Sequence, residues 1–150
     1  MVNSKDIKWF GDILKSGRSR DEKLQQICDE LVERVSYYNW VGFYLADDED
    51  EILQLGPYRG APTEHVRIGF GQGVCGQAAL THKTLLVQDV SHESNYLACS
   101  LDVKSEVVVP ILKNGRFVAE LDIDSHTKNA FNEEDRLFLE RLCAGIARLF

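Results

Sequence analysis

Two cysteines in this chain, Cys75 and Cys99, stand in loop-like sequence, and a set of carboxylates is spaced to meet them. Cys99 lies in NYLACSLDVKSE, seven residues before Glu106, which opens the β-branched run Val107-Val108-Val109. Cys75 lies in GQGVCG, a glycine-rich turn into a short helix, and a helix N-terminus lowers a thiol's pKa. A lone loop cysteine is usually inert and can be a small apolar filler. Two at one pocket mouth suit redox chemistry better: a thiolate attacks, becomes a sulfenic acid, and a second thiol condenses with it.

The carboxylates follow a different logic. Glu120, Asp122 and Asp124 alternate with Ala119, Leu121 and Ile123, so in a strand they share one face, with neighbours about 6.8 Å apart. A solvent-facing strand explains such a row simply. Against that, like charges repel and Asp is a poor strand former. A pocket that receives a cation accounts for Asp122 and Asp124 better, with Glu120 placed at the pocket edge. Trp40 and Tyr44 also share a strand face, either as core or as an aromatic wall for a cationic or thioether ligand. His82 and His126 read as surface turn residues, while His65 and His92 could border the pocket without metal-ligand spacing.

GQGVCG also satisfies GxGxxG, but no long parallel βαβ unit surrounds it, so a dinucleotide site is not expected. Cys28 and Cys143 fall on apolar helical stripes and read as core. The four cysteines form no CxxC pair, so neither zinc nor a static disulfide framework is expected.

Positioning these groups requires a sheet. A helix over 4–16 carries Ile7, Phe10, Ile13 and Leu14, and a second, capped by Ser19 or Asp21, runs to about Val35. WVGFYLA (40–46) and ILQLGPY (52–58) form a hairpin around the acidic tip 47–51. Short strands are expected at 65–70 and 84–90, with loop at 91–99. Strands 106–112 and 116–124 flank an Asn-Gly turn, the strongest short hairpin signal. Asn132 caps a last helix whose stripe is Leu139, Leu142, Cys143, Ile146 and Leu149. Consecutive hairpins predict an antiparallel sheet in an α+β fold. The terminal helices would cover one face, and loops 58–76 and 88–105 would close a pocket on the other.

The chain has 150 residues, enough for one core. Its 24 acids against 17 bases give a net charge of −7, which argues against nucleic-acid and anionic-membrane partners. The N-terminus has no uninterrupted apolar run, so a reducing, cytoplasmic setting is expected.

NWVGFYL (39–45), GQGVCG (71–76), Cys99 followed by Glu106, VVVP and ELDIDS (120–125) together resemble the GAF-domain proteins. Within them, from about residue 20 to 150, the pattern is most similar to the free methionine-(R)-sulfoxide reductases. The resemblance implies one GAF domain over 1–150, with about six antiparallel strands, and a homodimer formed through helices. It implies Cys99 as catalytic cysteine and Cys75 as recycling cysteine. Glu106, Asp122 and Asp124 would hold the substrate's ammonium and help protonate the sulfoxide, and Trp40 and Tyr44 would line the methyl-sulfoxide pocket. No metal or organic cofactor is implied, and a thioredoxin-type dithiol would be the reductant. His65 stands where many members carry a third cysteine, and Ser100 where many carry an acid. The alternative is a non-enzymatic GAF module that binds a small ligand or senses redox state.

Overall fold

The computed structural model describes residues 5–93 and 102–150; Cys99 lies outside the described residues. Helices α1 (Lys8–Lys15) and α2 (Arg20–Arg34) lead into the hairpin β1 (Trp40–Asp47) and β2 (Ile52–Arg59). Then follow β3 (Arg67–Gly69), α3 (Gly73–Thr81) and β4 (Leu85–Val87). The second long hairpin is β5 (Ser105–Lys113) and β6 (Arg116–Ser125), and α4 (Glu133–Ile146) closes the order. The sheet is antiparallel throughout, ordered β3-β2-β1-β6-β5-β4.

Local chemistry sets the boundaries. Ser19 caps α2 in a reciprocal box with Glu22, and Asn132 caps α4 in the same way with Asp135. Asp135 also accepts from the Tyr37 and Tyr38 hydroxyls at 2.8 and 2.6 Å, so one buried carboxylate ties α4 to the entry of β1. The β5–β6 turn is two residues, Asn114 and Gly115, both at positive φ, as a hairpin that follows the strand twist requires. The first helix begins at Lys8 rather than residue 4. The strands expected over 65–70 and 84–90 shrink to three residues each. Among the described residues both are edge strands, paired on one side only.

β-Alternation sorts the side chains into two layers. Val41, Phe43, Val107, Val109, Leu121 and Ile123 face α1, α2 and α4, where Cys28 and Cys143 are buried as expected. Trp40, Tyr44 and Val108 face the opposite way, against Ile68 and the α3 residues Val74, Cys75, Ala78 and Ala79. Besides loop, therefore, a helix covers that second face. At about 25 cal/mol per Å² of apolar surface, the two layers are the main source of stability.

Candidate functional site

Cross-strand register assembles the acids. In the β1–β6 pair, Trp40 lies opposite Asp124, Gly42 opposite Asp122, and Tyr44 opposite Glu120. In the β5–β6 pair, Glu106 lies opposite Asp124 and Val108 opposite Asp122. Directly opposed residues share a face, so all four carboxylates belong to the α3 side of the sheet. None is on a wet surface: Glu120, Asp122 and Asp124 are 0% exposed and Glu106 2%. This overturns the solvent-facing reading, and it corrects Glu120 from the pocket edge to the interior. Strand alternation predicts which residues share a face, but α3 decides whether that face meets water.

α3 brings in the thiol. Gly71 and Gly73 take positive φ in the turn before it, and the Gln72 side chain accepts from the Gly69 amide at 2.8 Å. Gly76 leaves no room for a side chain, since a Cβ there would lie 2.7 Å from the Gly69 carbonyl oxygen. That close approach seats the preceding residue, Cys75, over the sheet. Its Sγ lies 4.0 Å from Glu106 Oε2, and single donor atoms of Cys75, Glu106 and Asp122 fall within 4.8 Å of one another. Cys75 is 6% exposed and carries a free thiol.

Burial and crowding reverse the expected thiol chemistry. Burial, then Asp122, Glu120, Glu106 and Asp124, push the Cys75 thiol well above its ordinary range. The start of α3 was expected to lower it, but a helix terminus contributes at most about 2 kcal/mol. A buried site facing four carboxylates outweighs that. Burial, then the charge of Asp122, likewise pushes Glu120 well above the usual carboxylate range. Burial raises Asp122 too, while its interactions with Glu106 and Cys75 pull the other way. The carboxyl oxygens of Glu120 and Asp122 are buried and receive no hydrogen bond of ordinary geometry from the described residues. Such groups retain protons at a pH where exposed acids have lost them.

The aromatic residues stand as a graded wall. The Tyr44 hydroxyl donates to the His65 carbonyl at 2.8 Å, and the Trp40 indole N–H donates to the Ala61 carbonyl at 3.0 Å. Both bonds anchor the β2–β3 loop. Trp40 stacks on Tyr58 at 5.4 Å between ring centres and on Tyr44 at 6.5 Å. Gly42 makes this packing feasible, because a Cβ there would lie 2.4 Å from Trp40 Cη2. Tyr58 went unremarked in the sequence, where only its aromatic character in β2 marked it.

Tyr44, His65, Cys75, Glu106 and Asp122 line a cavity of about 10 Å³, the room of one water molecule. Trp40 is not part of that lining and stacks behind Tyr44. A larger, open groove of about 530 Å³ lies elsewhere, between His82, Pro110, Arg136 and Glu140. Its cysteine, Cys143, is buried and its thiol is pushed far up by desolvation, so that thiol is not poised to react there. His82 and His126 are exposed, as expected, and His92 is exposed beside Asp89.

Comparison with known proteins places these features in context. The profile of the GAF domain family matches residues 17–150. Protein YtsP of Bacillus subtilis is 46% identical over 110 residues, covering 73% of this chain and 67% of the relative. The free methionine-R-sulfoxide reductase of Escherichia coli is 37% identical over 119 residues, covering 79% of this chain and 70% of that protein. The X-ray structure of the Neisseria meningitidis free methionine-R-sulfoxide reductase with its substrate superposes with a TM-score of 0.89. That match is 35% identical and covers 94% of this chain and 83% of the other.

Proposed function

This chain belongs to the GAF domain family, and on that premise we propose that it reduces free L-methionine-(R)-sulfoxide to methionine. The observation that carries the reading is the buried set of Glu106, Glu120, Asp122 and Asp124 around Cys75. A closed site with several carboxylates selects a cation, and it retains protons for an oxygen that must leave as water. The named similarity to free methionine-R-sulfoxide reductases supports the same substrate.

In the reaction, the substrate's ammonium enters the space beside Glu106 and Asp122. The cavity of about 10 Å³ admits a group of that size and not the whole amino acid. Asp124, opposite both Trp40 and Glu106 in the sheet, adds charge behind them. Trp40 and Tyr44 supply the aromatic side of the methyl-sulfoxide pocket. A peptide-bound sulfoxide lacks the ammonium, so its binding would leave the carboxylates without a counter-charge, a cost of several kcal/mol.

The Cys99 thiolate attacks the sulfoxide sulfur while a carboxyl proton from Asp122 or Glu106 goes to the oxygen. The S–O bond passes to Cys99, which becomes a sulfenic acid, and methionine leaves with the electron pair. The Cys75 sulfur then attacks the Cys99 sulfur, its proton leaves with the hydroxyl as water, and a disulfide forms. An external dithiol of the thioredoxin type restores both thiols by exchange. The raised Cys75 pKa keeps the recycling sulfur as a thiol until needed, and the carboxylate that gave its proton to the sulfoxide oxygen can relay the Cys75 proton to the departing hydroxyl.

The test couples NADPH oxidation to thioredoxin and its reductase, with free R-sulfoxide, free S-sulfoxide and a peptide-bound sulfoxide as substrates. Turnover of free R alone, abolished in Cys99→Ser, is the expected result. Full activity in Cys99→Ser ends the scheme, and inactivity on all three substrates assigns the chain to ligand sensing.

A further inference from the structure

The same buried donors suit a second kind of cation. Cys75, Glu106 and Asp122 come from α3, β5 and β6, are all buried, and have donor atoms within 4.8 Å of one another. Around a tetrahedral zinc ion, sulfur sits at about 2.3 Å and carboxylate oxygen at about 2.1 Å. Neighbouring donors are then roughly 3.5 Å apart, so closure of about 1 Å completes three sides of a shell. The same three residues line the cavity of about 10 Å³, which has room for one small ion or one water molecule.

A second observation points to a cation independently of the cluster. Asp122 lines that cavity, is 0% exposed, and neither of its oxygens receives an ordinary hydrogen bond from the described residues. Glu120, also 0% exposed with both oxygens in the same condition, lies behind it and faces the Cys75 thiol. The Cys75 thiol is beside both carboxyls at looser than ordinary hydrogen-bond geometry, and buried carboxylates so weakly served are costly unless a cation or a proton neutralises them. One sulfur among carboxylates favours a thiophilic ion over magnesium or calcium, which take oxygen shells.

We propose that Cys75, Glu106 and Asp122 form a binding site for one zinc-like divalent cation. The ion enters in place of protons: Cys75 loses its thiol proton to solvent, and a carboxyl that holds a proton loses it too. Nothing is oxidised or reduced. If the chain reduces a free amino-acid sulfoxide as proposed above, this ion occupies the ammonium's place and ties up the recycling sulfur, so zinc inhibits competitively. Sequence reasoning expected no metal because it looked for local ligand spacing, and here the donors are 31 and 16 residues apart along the chain.

The test is a binding measurement that does not depend on activity. Zinc is titrated into the reduced full chain and followed by calorimetry in two buffers of different ionisation enthalpy. Cobalt serves as the spectroscopic probe for a thiolate ligand. Expected are one ion per chain, release of at least one proton, a thiolate-to-cobalt absorption band, and one sulfur at about 2.3 Å by X-ray absorption of the zinc-loaded wild type. Cys75→Ser and Asp122→Asn, with folding checked by circular dichroism, should weaken binding by more than about a hundredfold. His92→Ala, which alters the exposed His92–Asp89 pair, should bind as wild type. A shell without sulfur in the wild type overturns the proposal. So does binding that survives Cys75→Ser but is lost in His92→Ala. Zinc binding without sulfoxide turnover would leave this site standing and remove the enzymatic reading alone.

Discussion

Replacing Glu120 with Gln should change how stability depends on pH. Glu120 is 0% exposed, and burial, then Asp122, holds its carboxyl well above the unfolded value of 4.5. Above that value the unfolded chain has released the proton while the folded chain keeps it. The folded state then binds more protons, so stability falls as pH rises, until Glu120 ionises within the fold. One retained proton gives a slope of about −1.4 kcal/mol per pH unit. Between pH 5 and 7 the wild type should therefore lose up to about 2.7 kcal/mol that Glu120→Gln does not lose. At a urea dependence of about 2 kcal/mol per M, the midpoints of the two proteins should diverge by about 1.4 M across that range. The assay is urea unfolding at pH 5, 6 and 7, followed by tryptophan fluorescence and circular dichroism. Any constant cost of burying the Gln amide cancels, because the readout is the difference in slope. Parallel stability–pH curves for the two proteins would refute the claim that Glu120 keeps its proton in the fold.

Other expectations follow from single contacts. Gly42→Ala places a Cβ 2.4 Å from Trp40 Cη2 and 2.8 Å from Tyr58 Cβ. It should cost about 1–3 kcal/mol by overpacking and shift the tryptophan emission, measured by thermal melts and fluorescence. Asp135→Ala removes the acceptor of both Tyr37 and Tyr38 and half of the α4 capping box. A loss of about 3 kcal/mol in urea unfolding is expected, since Tyr38 is 1% exposed and its hydroxyl would be left unsatisfied. Cys75 should resist iodoacetamide at pH 8 in the native chain and react rapidly in urea, as peptide mapping would show. Native reactivity equal to the unfolded rate would contradict the raised thiol pKa.

Much of the architecture was legible because its causes are local. The Asn114-Gly115 turn, the Ser19 and Asn132 caps, and the alternation of Glu120, Asp122 and Asp124 each depend on a few neighbouring residues. The aromatic pair Trp40 and Tyr44 was placed on one face by the same counting. The lengths of β3 and β4 were not legible, since an edge strand ends where its partner stops pairing.

The sequence by itself therefore determined which groups share a strand face and where turns and helices begin. Only the tertiary structure decided what those groups are chemically. A row of acids alternating along β6 is compatible with water or with a closed site. The packing of α3, held close by Gly76, excludes the water and brings Cys75 to 4.0 Å from Glu106. Charge state in a protein depends on desolvation and on neighbours from distant segments. It was thus the fold that turned a lowered thiol pKa into a raised one, and placed Glu120 in the interior rather than at the pocket edge.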